Sequence, residues 1–254
     1  MNLPSVKTSI SVVIFTHRAD QRFVQALASA QPASEILVVD FGSQNNWSSL
    51  TRQFHFKKID RREPLKNFSK ERNMALKQAR HDWVFFLDSD EEIDSSSWQE
   101  IDRLIKRKDI DGVFVKRKDI FYNKILHFGE TGKTKIIRLM RKEASQFVRP
   151  VHEVAQIKGK VISSHISLLH FAHQTIAEFF QDITHYAKIE AEYQRDSRLS
   201  SFKLGLKTLI YPTLKFCQNF FCKLGFLDGW RGLVYAILMS MHSLMVRVFS
   251  YENR

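Results

Sequence analysis

The stretch WVFFLDSDEE at residues 83–92 carries the clearest structural signal in the chain, because an unbroken apolar run ends directly in a cluster of acids. Such a run is typical of a strand buried in a parallel sheet. Carboxylates crowded at one strand end repel each other, and Mg²⁺ or Mn²⁺, which prefer oxygen ligands, relieve that repulsion. The alternative is a solvated acidic start of the next helix. The strand-end position favours a metal site.

The residues before this strand repeat a pattern of strand and helix. Apolar runs at residues 10–15 and 35–40 flank a helical pattern, and a weaker strand at 54–59 precedes a helix at 67–80. This alternation predicts an α/β fold with a mostly parallel sheet, whose ligands gather at the carboxyl ends of the strands. Thr16, Asp40 and Asp88 fall at such ends.

After a helix at 97–106 the pattern changes. It predicts strands at 112–116, 135–140 and 154–162, and then helices from residue 175 onward. We expect two parts, a catalytic α/β domain over residues 1–173 and a helical segment over 174–254.

The composition limits the function classes. A net charge of +12 attracts nucleic acid, anionic lipid or phosphorylated substrates. Cys217 and Cys222 lack C-x-x-C spacing and read as buried or lipid-facing thiols in a reducing cytoplasm. Residues 1–10 lack the apolar run of a secretory signal, so we expect a cytoplasmic protein.

The C-terminal segment is both aromatic and basic, a pattern typical of helices lying on an anionic bilayer. Its longest run without a charged residue, Gly232 to Val246, has 15 residues. A span needs about 18 to 20, so we expect peripheral contact and no spanning helix. The alternative is that these aromatic residues pack on the catalytic domain or form a dimer face.

Four pieces of sequence, in order, resemble the family-2 glycosyltransferases, an inverting class with the Rossmann-like GT-A fold. They lie within about the first hundred residues and are Ser11–Thr16, Val38–Ser43, Lys70–Asn73 and Phe86–Glu91. Phe41 stands where the commonest form of the family has a second acid. The resemblance implies a nucleotide-sugar donor, UDP-sugar above others, bound by residues of about 1–110, and an acceptor half at about 111–173.

The resemblance also implies roles for individual residues. Thr16 and Asp40 would contact the nucleoside, Arg18 and Arg72 would lie in the donor site, and Asp88 would face the donor sugar. Asp90 would bind the divalent cation, Mg²⁺ or Mn²⁺. These types suit the chemistry, since a cation and an arginine stabilise a diphosphate leaving group without proton transfer.

The segment Arg149-Pro-Val-His-Glu153 resembles a Val-His-Glu segment of the branch that includes lipopolysaccharide core glucosyltransferases. It makes Glu153 the candidate general base, with His152 as a positioning or phosphate-binding partner. Glu91, Glu92 and Glu130 compete for the role of base, and the His-Glu pair has a purely structural alternative. The acceptor implied is a lipid-linked or envelope polysaccharide such as the lipopolysaccharide core, used at the inner face of the cytoplasmic membrane.

Other readings of the sequence remain open. A nucleotidyltransferase would need a glycine-rich loop after the first strand, and residues 16–20 contain no glycine. A nucleic-acid-binding protein would explain the net charge, but the sequence contains no nucleic-acid-binding motif, and we expect no nucleic acid among the partners. A catalytically silent membrane scaffold is disfavoured by the intact Asp88 and Asp90. His165, His170 and His173 match no zinc signature. Residues 129–134 lack phosphate-loop spacing and predict a mobile loop over the acceptor site.

Overall fold

The protein is described by a computed structural model that covers residues 7–17, 20–61, 67–149, 154–173, 175–193 and 201–252. The chain divides into two compact units. Residues 1–117 and 135–170 form the first, called here the α/β unit, and residues 118–134 and 171–254 form the second, called the helical unit.

The structure contains strands and helices that follow the predicted alternation. The strands are β1 (Thr8–Thr16), β2 (Ala33–Asp40), β3 (Lys57–Asp60), β4 (Trp83–Asp88), β5 (Glu91–Ile93), β6 (Gly112–Phe121), β7 (Lys124–Ile125), β8 (Lys135–Arg141), β9 (Ser145–Val148), β10 (Val154–Ile157) and β11 (Val161–His173). The helices are α1 (Gln21–Ser29), α2 (Trp47–Gln53), α3 (Phe68–Gln78), α4 (Trp98–Ile105), α5 (Ile176–Tyr193), α6 (Ser201–Cys217) and α7 (Trp230–Glu252). The α/β class predicted from the sequence is confirmed.

The main sheet has the strand order β3-β2-β1-β4-β8-β6-β11-β5, with β7 beside β6. Its first four strands are parallel, whereas the pairs β4–β8, β6–β8 and β5–β11 are antiparallel. The sheet is therefore mixed, and its parallel part is confined to the first ninety residues. Parallel neighbours need a crossover, usually a helix, and no helix lies between β6 and β8.

Local sequence explains where the helices of the α/β unit begin. The Asp20 side chain accepts a hydrogen bond from the Phe23 amide at the start of α1, and Asn67 caps the Lys70 amide at the start of α3. Alternating side chains of β1, β2 and β4 pack into two apolar clusters, as expected for strands buried on both faces. The core thus holds the carboxyl ends of these strands in fixed positions.

In the helical unit, α7 packs against α5 and α6. Its core contains Phe121, Leu126, Phe179, Ile183 and Leu238. Pro212 lies inside α6, and the Ser240 hydroxyl donates a hydrogen bond of 2.7 Å to the Pro212 carbonyl. Both α6 and α7 also carry apolar residues that remain exposed, which sets this unit apart from an ordinary helical bundle.

Residues 129–134 were expected to form a mobile loop over the acceptor site, and the loop that contains them is bonded at several points within the helical unit. The Asp228 carboxylate accepts hydrogen bonds from the amides of His127 and Phe128, at 3.1 and 2.9 Å. Lys215 Nζ lies 2.7 Å from Glu130 Oε1. These bonds tie the loop to the helical segment, and the mobility of residues 129–134 stays a prediction.

The helix α7 is long and apolar enough to cross a membrane by length and composition alone, over Trp230–Tyr251 with a mean hydropathy of 1.5. The sequence expectation that no stretch meets this standard is wrong. It counted only uninterrupted uncharged residues, whereas Arg231 and Arg247 lie near the helix ends, where long basic side chains can reach the membrane surface. Core helices of soluble proteins meet the same standard.

Candidate active site

The parallel strands bring three predicted site residues to one edge of the sheet. Thr16 pairs in register with Asp40, and the neighbouring Phe15 pairs with Asp88. Thr16 is fully buried, and its carbonyl accepts a hydrogen bond of 2.9 Å from the Phe41 amide. The carboxyl ends of β1, β2 and β4 therefore meet, as the sequence predicted.

Asp40 is buried and its carboxylate is held on both sides. Oδ1 accepts a 2.8 Å hydrogen bond from the Ser43 amide, and Oδ2 lies 3.2 Å from Lys58 Nζ. Lys58 also lies 2.5 Å from Asp60 and 4.3 Å from the centre of the Trp47 ring. Partial burial works against its charged form, but the hydrogen bonds to Asp60 and Asp40 outweigh burial and raise the pKa of Lys58. Lys58 carries no local sequence signal for this contact, because it reaches Asp40 through the pairing of β3 with β2.

Asp88 lies between two buried arginines. Arg72 Nη2 lies 3.1 Å from Asp88 Oδ1, and Arg138 Nη2 contacts Asp88 Oδ2. Burial favours the neutral acid, but the positive charges of Arg138 and Arg72 outweigh it and hold the pKa of Asp88 well below its usual range. Asp88 is thus a fixed anion at the end of β4.

Aromatic rings surround the guanidinium of Arg72. Its Cζ lies 5.4 Å from the ring centre of Phe15, 5.1 Å from Phe86 and 5.5 Å from Phe147. Such contacts favour the cation, particularly where water is excluded. Asn73, next to Arg72, bonds the backbone of Phe147 through both ends of its amide, at 2.8 Å each. The Arg72 side chain therefore has a preformed position. Asn73 contributes to it by fixing Phe147, one of the three rings around the guanidinium.

Asp90 faces a histidine from a distant strand. Only two residues separate β4 from β5, yet β5 pairs with β11, where His170 stands opposite Glu91. His170 Nε2 consequently lies 3.7 Å from Asp90 Oδ2. Burial works against ionisation of Asp90, but the hydrogen bond with His170 outweighs it and lowers the pKa of Asp90. The sequence alone does not distinguish His170 from His165 and His173, since only the pairing of β11 with β5 brings His170 to Asp90.

The described carboxylates near the end of β4 differ in whether they could bind a divalent cation. Within the described ranges no group of three His, Cys, Asp or Glu side chains has the arrangement of a metal site. Both oxygens of Asp88 are engaged by arginines. Mg²⁺ commonly takes one or two protein ligands and completes its shell with substrate phosphates. Asp90, whose carboxylate contacts the His170 imidazole and not an arginine, is the residue of this cluster that could serve as such a ligand.

The remaining candidates fall into several groups. Arg18, His152 and Glu153 lie outside the described residues. Of the competing carboxylates, Glu91 lies 2.7 Å from Arg138 and Glu130 pairs with Lys215, so each already has a cationic partner. Glu92 is half-buried, and burial raises its pKa.

The other two histidines have separate surroundings. His165 is exposed, and its amide donates to Glu100. His173, in the helical unit, stacks on Phe179 with ring centres 3.9 Å apart and lies 3.2 Å from Asp182.

Comparison of the sequence with known protein families identifies the family to which the chain belongs. Residues 11–152, more than half of the chain, match Glycosyl transferase family 2. The chain belongs to this family. It is a glycosyltransferase, and this membership replaces the alternatives of a nucleotidyltransferase and of a binding protein without catalysis.

Similar proteins include the lipopolysaccharide core biosynthesis glycosyltransferase LpsC of Rhizobium meliloti, 26% identical over 91% of this chain and 90% of LpsC. A TPR repeat-containing protein of Synechococcus elongatus is 24% identical over 61% of this chain, which spans 37% of that protein. Among solved structures, a crystal structure of S. aureus TarS is similar with a TM-score of 0.48 and 17% identity, covering 97% of this chain and 91% of TarS.

Proposed function

We propose that this glycosyltransferase moves a hexose, with inversion, from a nucleotide-sugar donor to a saccharide acceptor of the cell envelope. The observation that carries the proposal is the pair of buried arginines fixed on Asp88 at the carboxyl ends of parallel strands. This edge places guanidinium and carboxylate groups in fixed positions beside one another, so that the cations suit the diphosphate and the carboxylates suit the sugar hydroxyls of a nucleotide sugar. UDP is the nucleotide favoured by the resemblance to the family.

Each donor-site residue has a role in this proposal. Thr16 and Asp40 contact the nucleoside, with Lys58 holding the Asp40 carboxylate in place. Arg18 and Arg72 bind near the diphosphate, and Asp88 accepts hydrogen bonds from the donor sugar. Asp90 would hold Mg²⁺ or Mn²⁺, with His170 orienting its carboxylate, and the cation would stabilise negative charge on the departing diphosphate.

The transfer itself requires a base on the acceptor side. The acceptor hydroxyl oxygen bonds to the anomeric carbon while the bond from that carbon to the diphosphate breaks, and the base removes the hydroxyl proton. We assign this role to Glu153, with His152 as its positioning partner. The Glu91 side chain is fully buried against Arg138, which closes it to an acceptor hydroxyl. Burial works against ionisation of Glu130, but the hydrogen bond and charge of Lys215 outweigh it and lower the pKa of Glu130, which makes it a poorer base.

Calorimetric titration with UDP, GDP and their hexose conjugates, with and without Mn²⁺, tests the donor site. We expect one nucleotide to bind in a Mn²⁺-dependent manner and the affinity to fall about 10–100-fold in Asp90→Ala and His170→Ala. His165→Ala is the matched control, because His165 lies on the same strand but is exposed. Failure of the wild-type protein to bind any of these donors would refute the proposal.

A separate substitution tests the base. In Glu153→Gln we expect the rate of transfer to fall about 10²–10⁴-fold while the Kd of the donor stays the same. Glu92→Gln, which removes the half-buried competing carboxylate, serves as the comparison. A larger loss in Glu92→Gln than in Glu153→Gln would move the role of base to Glu92.

The acceptor is proposed to be the lipopolysaccharide core or a similar lipid-linked saccharide. Support comes from LpsC, whose name places it in lipopolysaccharide core biosynthesis and which matches nearly the whole chain. The assay is transfer of labelled hexose to core-truncated lipopolysaccharide. Absence of transfer, in the presence of donor binding, would exclude this acceptor and leave the donor site standing.

We further propose that the helical unit lies on the cytoplasmic surface of an anionic membrane. In α6, Leu206, Leu209, Ile210 and Leu214 recur at helical spacing and are exposed, with Leu209 exposed by 73%. In α7 the exposed apolar residues include Trp230, Leu233, Ile237, Leu244 and Val248. Lys207 and Arg231 adjoin these apolar residues in the sequence, a combination that favours anionic lipid.

The packing of α7 favours a position in the interface over a transmembrane one. It packs against α5, whose residues include Glu178, Asp182, Lys188 and Glu190. Glu190 lies 3.7 Å from His242, in the middle of α7. A spanning α7 would draw these charged groups into hydrocarbon, which costs several kcal/mol for each. An interfacial helix leaves them on the aqueous side.

Vesicle flotation tests the membrane proposal. We expect the protein to float with vesicles containing phosphatidylglycerol and to float less with neutral vesicles. The double variant Leu209→Glu, Leu214→Glu should lose flotation, whereas Ser48→Glu, Gln53→Glu, which adds the same charge on exposed positions of α2, should retain it. Equal flotation of the two variants would refute this surface.

A further inference from the structure

Arg138 is a buried charge that no motif in the sequence identifies. It lies on β8, next to Leu139, which pairs with Phe85 of β4, and only 8% of its surface is exposed. Its Nη2 contacts Asp88 and lies 2.7 Å from Glu91 Oε1. The antiparallel register between β8 and β4 thus places the Arg138 guanidinium beside Asp88, the last residue of β4, and Glu91, the first residue of β5.

Arg138, Asp88 and Glu91 form a closed circuit of hydrogen bonds, in which each residue contacts the other two. Glu91 Oε2 accepts a 3.2 Å hydrogen bond from the Asp88 amide, while Glu91 Oε1 and the Asp88 carboxylate share the Arg138 guanidinium. Neutralising the charge of Arg138 would need only a carboxylate nearby and would not fix the orientation of that carboxylate. Each member is fixed by the other two, so the orientation of the Asp88 carboxylate is set by the circuit as well as by Arg72.

The lone pairs of Asp88 show what this orientation leaves free. An ionised carboxylate offers about four acceptor positions, two on each oxygen. Arg72 takes one on Oδ1 and Arg138 takes one on Oδ2. Among the contacts of the described residues, one position on each oxygen therefore remains, which matches two hydroxyl donors on neighbouring carbons of a sugar ring.

We propose that Arg138 is a positioning residue that aims the Asp88 carboxylate at a vicinal pair of hydroxyls on the donor hexose and so determines which hexose is accepted. The inference rests on the proposed role of Asp88 toward the donor sugar. Loss of Arg138 leaves Asp88 held by Arg72 alone, free to turn about its last side-chain bond. Contact with the sugar hydroxyls weakens, whereas contacts to the nucleotide do not pass through Arg138.

The test compares binding of the free nucleotide with binding of its sugar conjugates, so no acceptor is needed. Calorimetry measures the Kd of UDP, UDP-glucose and UDP-galactose, or of GDP, GDP-glucose and GDP-mannose if the protein binds GDP. In Arg138→Lys we expect the Kd of the free nucleotide to stay within about twofold of the wild type. The Kd of the preferred conjugate should rise about tenfold, the worth of one hydrogen bond to a charged group. Discrimination between the two epimers should shrink toward unity.

Two further variants separate positioning from general damage. Arg141→Lys changes another arginine of β8, which bonds the carbonyls of Ile110 and Arg107, and should leave all the Kd values unchanged. Glu91→Gln removes the charge that anchors Arg138 and should reduce epimer discrimination in the same direction as Arg138→Lys. If Arg138→Lys does not fold, as judged by circular dichroism, Glu91→Gln carries the test.

The outcomes distinguish the two levels of the argument. If the wild type binds no nucleotide-sugar, the proposed function fails and this inference fails with it. If the wild type binds and discriminates, but Arg138→Lys loses free nucleotide and conjugate affinity equally, the positioning role is refuted while the donor site stands. Unchanged epimer discrimination in Arg138→Lys and Glu91→Gln also refutes it.

Discussion

Replacing Asn73 by alanine removes a clamp between α3 and β9. The Asn73 amide donates to the Phe147 carbonyl and accepts from the Phe147 amide, each at 2.8 Å, across 74 residues of chain. Each bond contributes about 1 kcal/mol net, and Phe147 is buried, so its backbone groups lose their partner away from water. The expected loss is about 3 kcal/mol in the free energy of unfolding. For a chain of this size that corresponds to about 6–12 °C in Tm.

Urea unfolding followed by far-ultraviolet circular dichroism measures this loss, with the slope against urea expected to stay constant. Gln78→Ala, at the exposed end of the same helix, is the control and should change stability by no more than about 0.5 kcal/mol. Phe147 is also one of the rings around Arg72, so donor binding should weaken together with stability. A loss below about 1 kcal/mol in Asn73→Ala would refute the clamp.

Three more predictions concern the helical unit. Burial lowers the pKa of His242, so protonation of this side chain favours the unfolded state. The free energy of unfolding should therefore fall as pH drops below about 6.5, and urea unfolding of His242→Gln should show a weaker dependence on pH. A Cβ at Gly232 would overlap the Gly225 carbonyl oxygen, so Gly232→Ala should lower Tm. A Cβ at Gly205 would make one 3.6 Å contact and otherwise meet open space, so Gly205→Ala should stabilise α6 by about 0.5–1 kcal/mol. Asp228→Ala should speed hydrogen exchange of the two loop amides that Asp228 holds, and unchanged exchange would contradict its anchoring role.

The sequence predicted the parts of the site that depend on local pattern. Apolar runs located β1, β2 and β4 to within a few residues, and strand ends therefore located Thr16, Asp40 and Asp88. The short strands β5, β7 and β9 were not predicted. Each has at most four residues, which is too short to show a period.

The residues that the sequence missed depend on pairing between distant strands. Arg138 reaches Asp88 across 50 residues through the register of β8 on β4, and His170 reaches Asp90 through the register of β11 on β5. No local period encodes such a register. One signal was available, since Arg138 interrupts the apolar run Ile136-Ile137-Arg138-Leu139-Met140, and a charged residue in a buried strand requires a partner.

The two-residue link between β4 and β5 restricts how the length of this chain can change during evolution. Ser89 and Asp90 join a strand in the middle of the sheet to one at its far edge, and both strands are fixed in register with others. An inserted or deleted residue would have no loop to absorb it. It would shift β5 by one position against β11 and turn Glu91 and Ile93 to the opposite faces of the sheet. Family members should therefore vary in length at the longer loops and keep the spacing from Asp88 to Glu91 constant.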